Sequence, residues 1–323
     1  MSGDVTVAIP FVRVAASQNP NLSTKENDPT TPYFRAMVVA FASARRFHPE
    51  VKLQLISNAQ PPAPFAEQLS ALGVEVIEIP FSHRPPNGFT AKFEASLYML
   101  DALERVSGTT VFIDPDVLFV DRIDALLAEV GDNVGALEMG YPLDHDVNGL
   151  TRRQAGDLHT ILGEPHESPT HFGGEVYVFP AAHMESLRGR ATRAWELSLS
   201  RHADGLSKFV TEEHVLSYAL RGVPLRDVGD YARRIWTART YRNVNGRENR
   251  LALWHLPAEK DRGFAALYPD AVDRASWFWA GSRDDFVSRA GREVGIANRR
   301  PSRLAIDACG KVMSRMKKMV ASR

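Results

Sequence analysis

Apolar and polar positions along the first third of the chain switch repeatedly between two periods, and each switch marks a change of element. Val5-Thr-Val-Ala-Ile-Pro-Phe11 reads as a short buried strand. The polar stretch from Ser17 to Thr31 reads as a loop or helix entry. From Tyr33 to Phe47 the apolar residues recur at helical spacing, and His48-Pro49 closes the run. Val51 to Ser57 alternates as a strand does, Pro61 to Leu72 is a proline-rich entry into a helix that stops at Gly73, and Val74 to Pro80 is a third strand. Thr90 to Val106 predicts one long helix, followed by a strand at Val111–Ile113. Strands alternating with helices predict βαβ units and a mostly parallel sheet. Right-handed crossovers then bring the C-terminal ends of the strands to one edge, where such sheets bind ligands.

Beyond residue 120 the pattern loosens. Asn133–Met139, His171–Pro180 and Leu251–His255 are strand candidates, while Met184–Ser200 and Thr211–Leu220 read as helices. Trp277-Phe278-Trp279 reads as core. No internal repeat and no sharp shift in composition divides the chain, so one domain is expected over residues 1–298.

Composition adds three constraints. Of 323 residues, 44% are apolar and 24% charged, which is ordinary globular composition with ample length for a core. The single cysteine, Cys309, excludes an internal disulfide framework and a cysteine-based zinc site, and it fits a reducing compartment. The net charge of zero conceals an asymmetry: Arg299 to Arg323 carries eight basic residues against Asp307 alone, leaving a net of −7 on the residues before it. That tail also holds Leu304, Ile306, Val312, Met313, Met316, Met319 and Val320. As a helix it would suit an anionic membrane surface. No secretory-signal pattern precedes the first strand and no apolar run approaches a membrane span. The expectation is a cytoplasmic protein, peripheral on the inner face of a membrane through residues 299–323, with no nucleic-acid partner.

The densest chemistry lies at Val111-Phe-Ile-Asp114-Pro-Asp116-Val-Leu-Phe-Val120. Two carboxylates one residue apart, where a buried strand emerges, suit a hard divalent cation held against a diphosphate. Without a cation they would repel one another, although Asp and Pro also favour plain turns. A second Asp-x-Asp, Asp144-His-Asp146, lies in a polar loop flanked by glycine and proline, where acceptor contact or solvation is the better expectation.

These residues resemble the metal-dependent GT-A glycosyltransferases, in particular the retaining glycogenin and lipopolysaccharide galactosyltransferase group. Phe89-Thr-Ala-Lys92-Phe93 lies where that family carries a basic residue near the nucleotide sugar. The Asp114-Pro-Asp116 strand resembles its Asp-x-Asp strand, and Phe172-Gly173-Gly174-Glu175-Val-Tyr-Val-Phe179 resembles the strand beside the donor sugar. Trp254-His255-Leu-Pro-Ala-Glu-Lys260 resembles the late His-x-x-Gly-x-x-Lys segment, with Ala258 at the glycine and Lys260 one residue early. The resemblance spans roughly residues 5 to 262. It implies a GT-A type α/β fold: a Rossmann-like, mostly parallel sheet flanked by helices, ahead of the basic amphipathic tail. Residues 1–120 would form the nucleotide-sugar half and 121–298 the acceptor half. It further implies Mn²⁺ or Mg²⁺ on Asp114, Asp116 and His255. Donor contacts are expected from Lys92, Asp114, Gly173, Gly174, Glu175 and Lys260.

Thr211-Glu212-Glu213-His214 reads as a capped helix start with acids in its first turn, stabilised by the helix dipole. In related GT-A enzymes an acid at such a start lies under the reacting sugar carbon, which makes Glu212 and Glu213 the catalytic candidates. Six arginines from Arg233 to Arg250, against Glu248 alone, suit a diphosphate or an anionic acceptor, and equally a plain solvated basic loop. The resulting expectation is transfer of a sugar from a nucleotide-diphosphate donor, UDP-linked, to a glycan, lipid-linked or protein acceptor. The alternatives are a non-catalytic nucleotide-sugar or glycan-binding protein on the same scaffold, and a sugar nucleotidyltransferase. The latter normally has a glycine-rich basic signature after the first strand, and Val5 to Arg13 has none.

Overall fold

The computed structural model describes residues 5–14, 28–90 and 93–296. Lys92 and the basic tail, with Cys309, therefore lie outside the described residues. In chain order the elements are β1 (Val5–Phe11), α1 (Thr31–Phe47), β2 (Lys52–Ser57), α2 (Phe65–Ala71), β3 (Val74–Glu78), α3 (Tyr98–Ala102), β4 (Thr109–Ile113) and β5 (Val117–Phe119). Next come α4 (Asp124–Val130), β6 (Val134–Met139), β7 (Asp146–Val147), β8 (Leu150–Thr151), α5 (Arg152–Ile161), β9 (His171–Pro180), α6 (Met184–Ala203) and α7 (Glu212–Ala219). The last are β10 (Leu225–Asp227), β11 (Ala232–Arg234), β12 (Leu253–His255), α8 (Ala265–Val272) and α9 (Arg283–Glu293).

Seven strands form the central sheet in the order β10-β6-β9-β4-β1-β2-β3. The pairs β1–β2, β2–β3, β1–β4 and β6–β10 are parallel, and only β9 runs antiparallel to its neighbours β4 and β6. The apolar centres of β1 and β4, and the complete burial of β9, reflect burial on both faces, as a helix-covered sheet demands. On one face α1 buries Phe34, Met37, Val38 and Phe41 against the strands. On the other, Leu97, Tyr98, Leu103, Tyr177, Phe179 and Leu216 form a second apolar layer. Phe278 is fully buried within the first layer, with Trp277 and Trp279 packed half-buried around it, as the sequence predicts.

The helix expected over Thr90–Val106 is interrupted. A 3₁₀ turn at Glu94–Leu97, the single α-turn of α3 and a second 3₁₀ turn at Leu103–Arg105 replace it. Leu97, Leu100, Leu103 and Val106 recur every three residues and are all buried. That spacing fits the three-residue turn of a 3₁₀ helix better than the 3.6-residue turn of an α-helix. No helix among the described residues is long and apolar enough to cross a membrane.

A small second sheet, β11-β12-β5, stands at the C-terminal edge of the first. It positions the site.

Candidate active site

After β4 the chain turns sharply. The Asp114 amide donates to the Glu175 carbonyl (3.1 Å), which extends the β4–β9 ladder by one residue, and the Val117 amide donates back to the Asp114 carbonyl (3.1 Å). Pro115 sits inside this turn, where its fixed φ is an advantage, and Asp114 and Asp116 flank it. β5 then pairs antiparallel with β12, with His255 opposite Val117, and the Leu256 amide donates to the Asp116 carbonyl (3.0 Å). Strand pairing thus carries a histidine from the far end of the sequence to the turn. His255 Nε2 lies 3.3 Å from Asp114 Oδ2 and 3.3 Å from Asp116 Oδ1. Lys260, at the start of a short π-helical turn, places Nζ on Asp116 Oδ2.

The charges answer one another. Burial alone would raise the Asp116 carboxyl, but Lys260 and His255 outweigh it and hold Asp116 well below the usual carboxylate range. Burial, with Asp116 and Glu175 nearby, pushes Asp114 up to about 7 against the pull of His255. Its side chain is still 41% exposed on the cavity side, so water softens that rise. His255 is raised to about 9, because Asp116 and Glu175 overcome the burial that would lower it. The ligand atoms of Asp114, Asp116 and His255 all lie within 4.8 Å of one another. Two carboxylates and one imidazole fit a borderline cation such as Mn²⁺ better than the all-oxygen shell that Mg²⁺ prefers. A second cluster of three possible ligands, His48, Glu50 and Asp124, has its groups engaged within the protein. Arg122 bridges Glu50 and Asp124, and His48 Nε2 accepts from the Ile123 amide.

The triad opens onto a cavity of 570 Å³. Phe11, Tyr33, Phe93 and Trp236 supply apolar wall, and Ser96, Asn148, Glu212, Glu213, Arg234 and Lys260 supply polar groups. Asn148 (φ 55°) occupies the tip of the β7–β8 hairpin, in the left-handed region that Asn tolerates.

The two glutamates at the start of α7 differ. Glu213 Oε1 accepts from the Gly174 amide (3.0 Å) and from Arg234 Nη2 (2.8 Å), and Oε2 lies 3.2 Å from His171 Nε2. Against burial, Arg234 and His171 hold Glu213 well below the usual carboxylate range. Glu212 has no charged partner: Ser96 hydrogen-bonds its carboxyl, and its Oε2 is buried without a hydrogen bond. Burial and the neighbouring Glu213 raise it to about 8.

Of the residues singled out in the sequence, Asp114, Asp116, Glu212, Glu213, His255 and Lys260 converge on this cavity. Gly173, Gly174 and Glu175 lie behind it, fully buried in β9, and do not line it. The glycines make room. A Cβ on Gly173 would stand 2.1 Å from Glu175 Oε2, and one on Gly174 would stand 2.8 Å from Glu212 Oε1. The Asp144/Asp146 pair stays outside: Asp144 pairs with Arg153 (2.8 Å), and Asp146 Oδ1 accepts from the Gly149 amide in the hairpin turn. The arginine-rich stretch divides. Arg233 and Arg234 belong to β11, and only Arg234 reaches the cavity. Arg239, Arg247 and Arg250 are exposed in the following loop. Three members of the site lie outside the individual residues expected from the sequence: Arg234, His171 and Tyr141, whose hydroxyl accepts from Arg234 Nη1 at 3.3 Å. The usable signal for Arg234 was an arginine inside the short apolar frame Ala232-Arg-Arg-Ile235.

No family model and no curated protein matches the sequence. Solved structures do. The galactosyltransferase LgtC, in complex with donor and acceptor sugar analogs, is 14% identical, with 92% of this chain and 98% of that one covered and a TM-score of 0.49. The glycosyltransferase GlyE of Streptococcus pneumoniae is 13% identical, covering 88% of this chain and 60% of its own, at 0.48. The bifunctional glycosyltransferase WbbM, in its apo form, is 11% identical; 90% of this chain is covered, the chain spans 52% of that protein, and the TM-score is 0.52. The β1–β4 frame, the antiparallel β9 and the WbbM match together identify the fold as that of the GT-A glycosyltransferases.

Proposed function

We propose that the chain is a metal-dependent glycosyltransferase that moves a sugar from a nucleotide-diphosphate donor, UDP-linked, to a glycan, lipid-linked or protein acceptor, with retention of anomeric configuration. One observation carries this reading: Asp114, Asp116 and His255 converge at the mouth of a cavity large enough for a nucleotide sugar. A bound Mn²⁺ or Mg²⁺ would neutralise charge growing on the departing diphosphate. Lys260, and Lys92 from the preceding segment, would add fixed positive charge toward the same group. Glu212 is the carboxyl we assign to the reacting sugar. It lines the cavity beside Asp114, has no charged partner to hold it elsewhere, and keeps one oxygen, Oε2, without a hydrogen bond. We assign Glu213 to holding α7 against β9. Phe11, Tyr33 and Trp236 offer apolar faces for the ring systems of donor and acceptor.

In this reading residues 1–298 form one catalytic domain, with the donor half in 1–120 and the acceptor half in 121–298. Residues 299–323 rest on an anionic membrane surface from the cytoplasmic side. Flotation with anionic liposomes tests the tail; equal binding with and without residues 299–323 would reject that role.

The activity is tested by UDP release from a panel of UDP-sugars with Mn²⁺, repeated with Asp116→Ala. A second reading has one observation behind it. Lys260 and His255 already neutralise the two aspartates, which would suit a nucleotide-sugar-binding protein that needs no metal. Donor binding that raises the melting temperature without Mn²⁺ and without turnover would favour it.

A further inference from the structure

Glu175 does not touch the cavity, yet it is the acid nearest the back of the proposed metal centre. Its side chain is fully buried, a costly position for a carboxylate unless it is paired and hydrogen-bonded. Arg234 supplies the pairing in a two-pronged geometry, with Nε to Oε1 at 3.0 Å and Nη2 to Oε2 at 2.6 Å. The guanidinium is itself held by Glu213 at 2.8 Å and by the Tyr141 hydroxyl at 3.3 Å. Glu175 is therefore fixed in orientation. Its Oε1 points to the ring nitrogen of His255 that faces away from the aspartates, with Nδ1 3.5 Å distant. That nitrogen is buried and has no closer acceptor.

We propose that Glu175 is a positioning residue for His255. Locked by Arg234, its carboxylate receives the Nδ1 side of the ring and keeps Nε2 turned toward Asp114 and Asp116. The inference rests on the metal reading given above. Histidines that ligate metals commonly present the second ring nitrogen to a carboxylate, which fixes the ring and makes it a better ligand. Here the carboxylate comes from a strand that antiparallel pairing locks beside the Asp-Pro-Asp turn, since the Glu175 carbonyl also takes the Asp114 amide. The glycine at 173 fits the same role. Any side chain there would strike Glu175 Oε2 at 2.1 Å and Arg234 Nη2 at 3.1 Å, so the strand leaves open the space that the ion pair fills.

Mn²⁺ binding to the purified protein, followed by electron paramagnetic resonance without any sugar nucleotide, tests this. Glu175→Gln keeps the shape and removes the charge. It is expected to weaken Mn²⁺ binding by about 10–100-fold, the usual cost of losing such a supporting group, with the metal-free melting temperature little changed because Arg234 retains Glu213. Glu175→Asp should recover part of the affinity. Arg234→Lys, which preserves the buried positive charge but loses the fork, should also weaken Mn²⁺ and stands in where Glu175→Gln folds poorly. Mn²⁺ affinity equal to wild type in a folded Glu175→Gln or Arg234→Lys protein overturns the positioning role alone. A wild-type protein that binds no Mn²⁺, or whose binding survives Asp116→Ala, overturns the metal reading and this inference together.

Discussion

The chain contains the pattern Asp-x-Asp twice, and the two copies meet opposite fates. Asp114 and Asp116 leave a buried strand and meet His255 and Lys260, brought by a strand from the far end of the chain. Asp144 is 75% exposed and spends its charge on Arg153, while Asp146 closes the turn of a two-stranded hairpin. The three-residue pattern is shared, and what differs is the apolar strand around the first pair, the polar loop around the second, and the partners that topology then delivers. The same lesson holds over one residue at the start of α7. Glu213 is tied into a buried network of charges, and Glu212 beside it faces the cavity with only the Ser96 side chain on its carboxyl.

The sharpest test of this contrast is Asp116→Ala, expected to lower sugar transfer by about 10²–10³-fold, the scale of losing one preorganised electrostatic group, measured as kcat/KM for UDP release. Undiminished turnover would erase the distinction between the two aspartate pairs. Next comes Glu213→Gln, which weakens the bonds to Arg234 and His171 and is expected to cost about 1–3 kcal/mol of stability by denaturant titration.

Glu212→Gln probes the other half of that glutamate pair through pH. The Glu212 carboxyl rises from 4.5 to about 8 on folding, so the native state holds the proton more tightly than the unfolded chain. Its contribution is fully present below pH 4.5 and is lost as pH rises through 8. The variant should therefore lose less stability than wild type between pH 5 and 8 when melting temperatures are compared, and identical slopes would contradict the buried placement beside Glu213. The smallest effect is expected at the second Asp-x-Asp: Asp144→Asn should leave turnover and melting temperature unchanged, since an exposed ion pair contributes little.

Much of this was legible in residue order. The strand and helix order from β1 to β3, and the strand β4, follow the periodicity of apolar positions, because β1 and β4 are buried and α1 covers one face of the sheet. Lys260 and His255 were legible only through the resemblance, since no local pattern says that β12 will pair with β5. α5 and α9 were not anticipated. Both are strongly polar on their outer sides and begin at capping boxes, Thr151 with Gln154 and Ser282 with Asp285, and these start signals were available in the sequence. The Glu175–Arg234–Glu213 network was beyond reach. Its members come from β9, β11 and α7, and burial, which alone makes their pairing obligatory, is a property of the folded state.

The pairing of β5 with β12 also has a consequence for the order in which the protein acquires competence. Asp116 and Lys260 are 144 positions apart. During synthesis the strands from β1 to β4 can gather as soon as they emerge, since domains fold as units from the N-terminal side. The constellation of charges cannot close until β12 has left the ribosome, and contacts of such long sequence separation form late. The nascent chain thus carries two acids without their histidine and lysine through most of its elongation, and the complete centre is a marker that both sheets have been built.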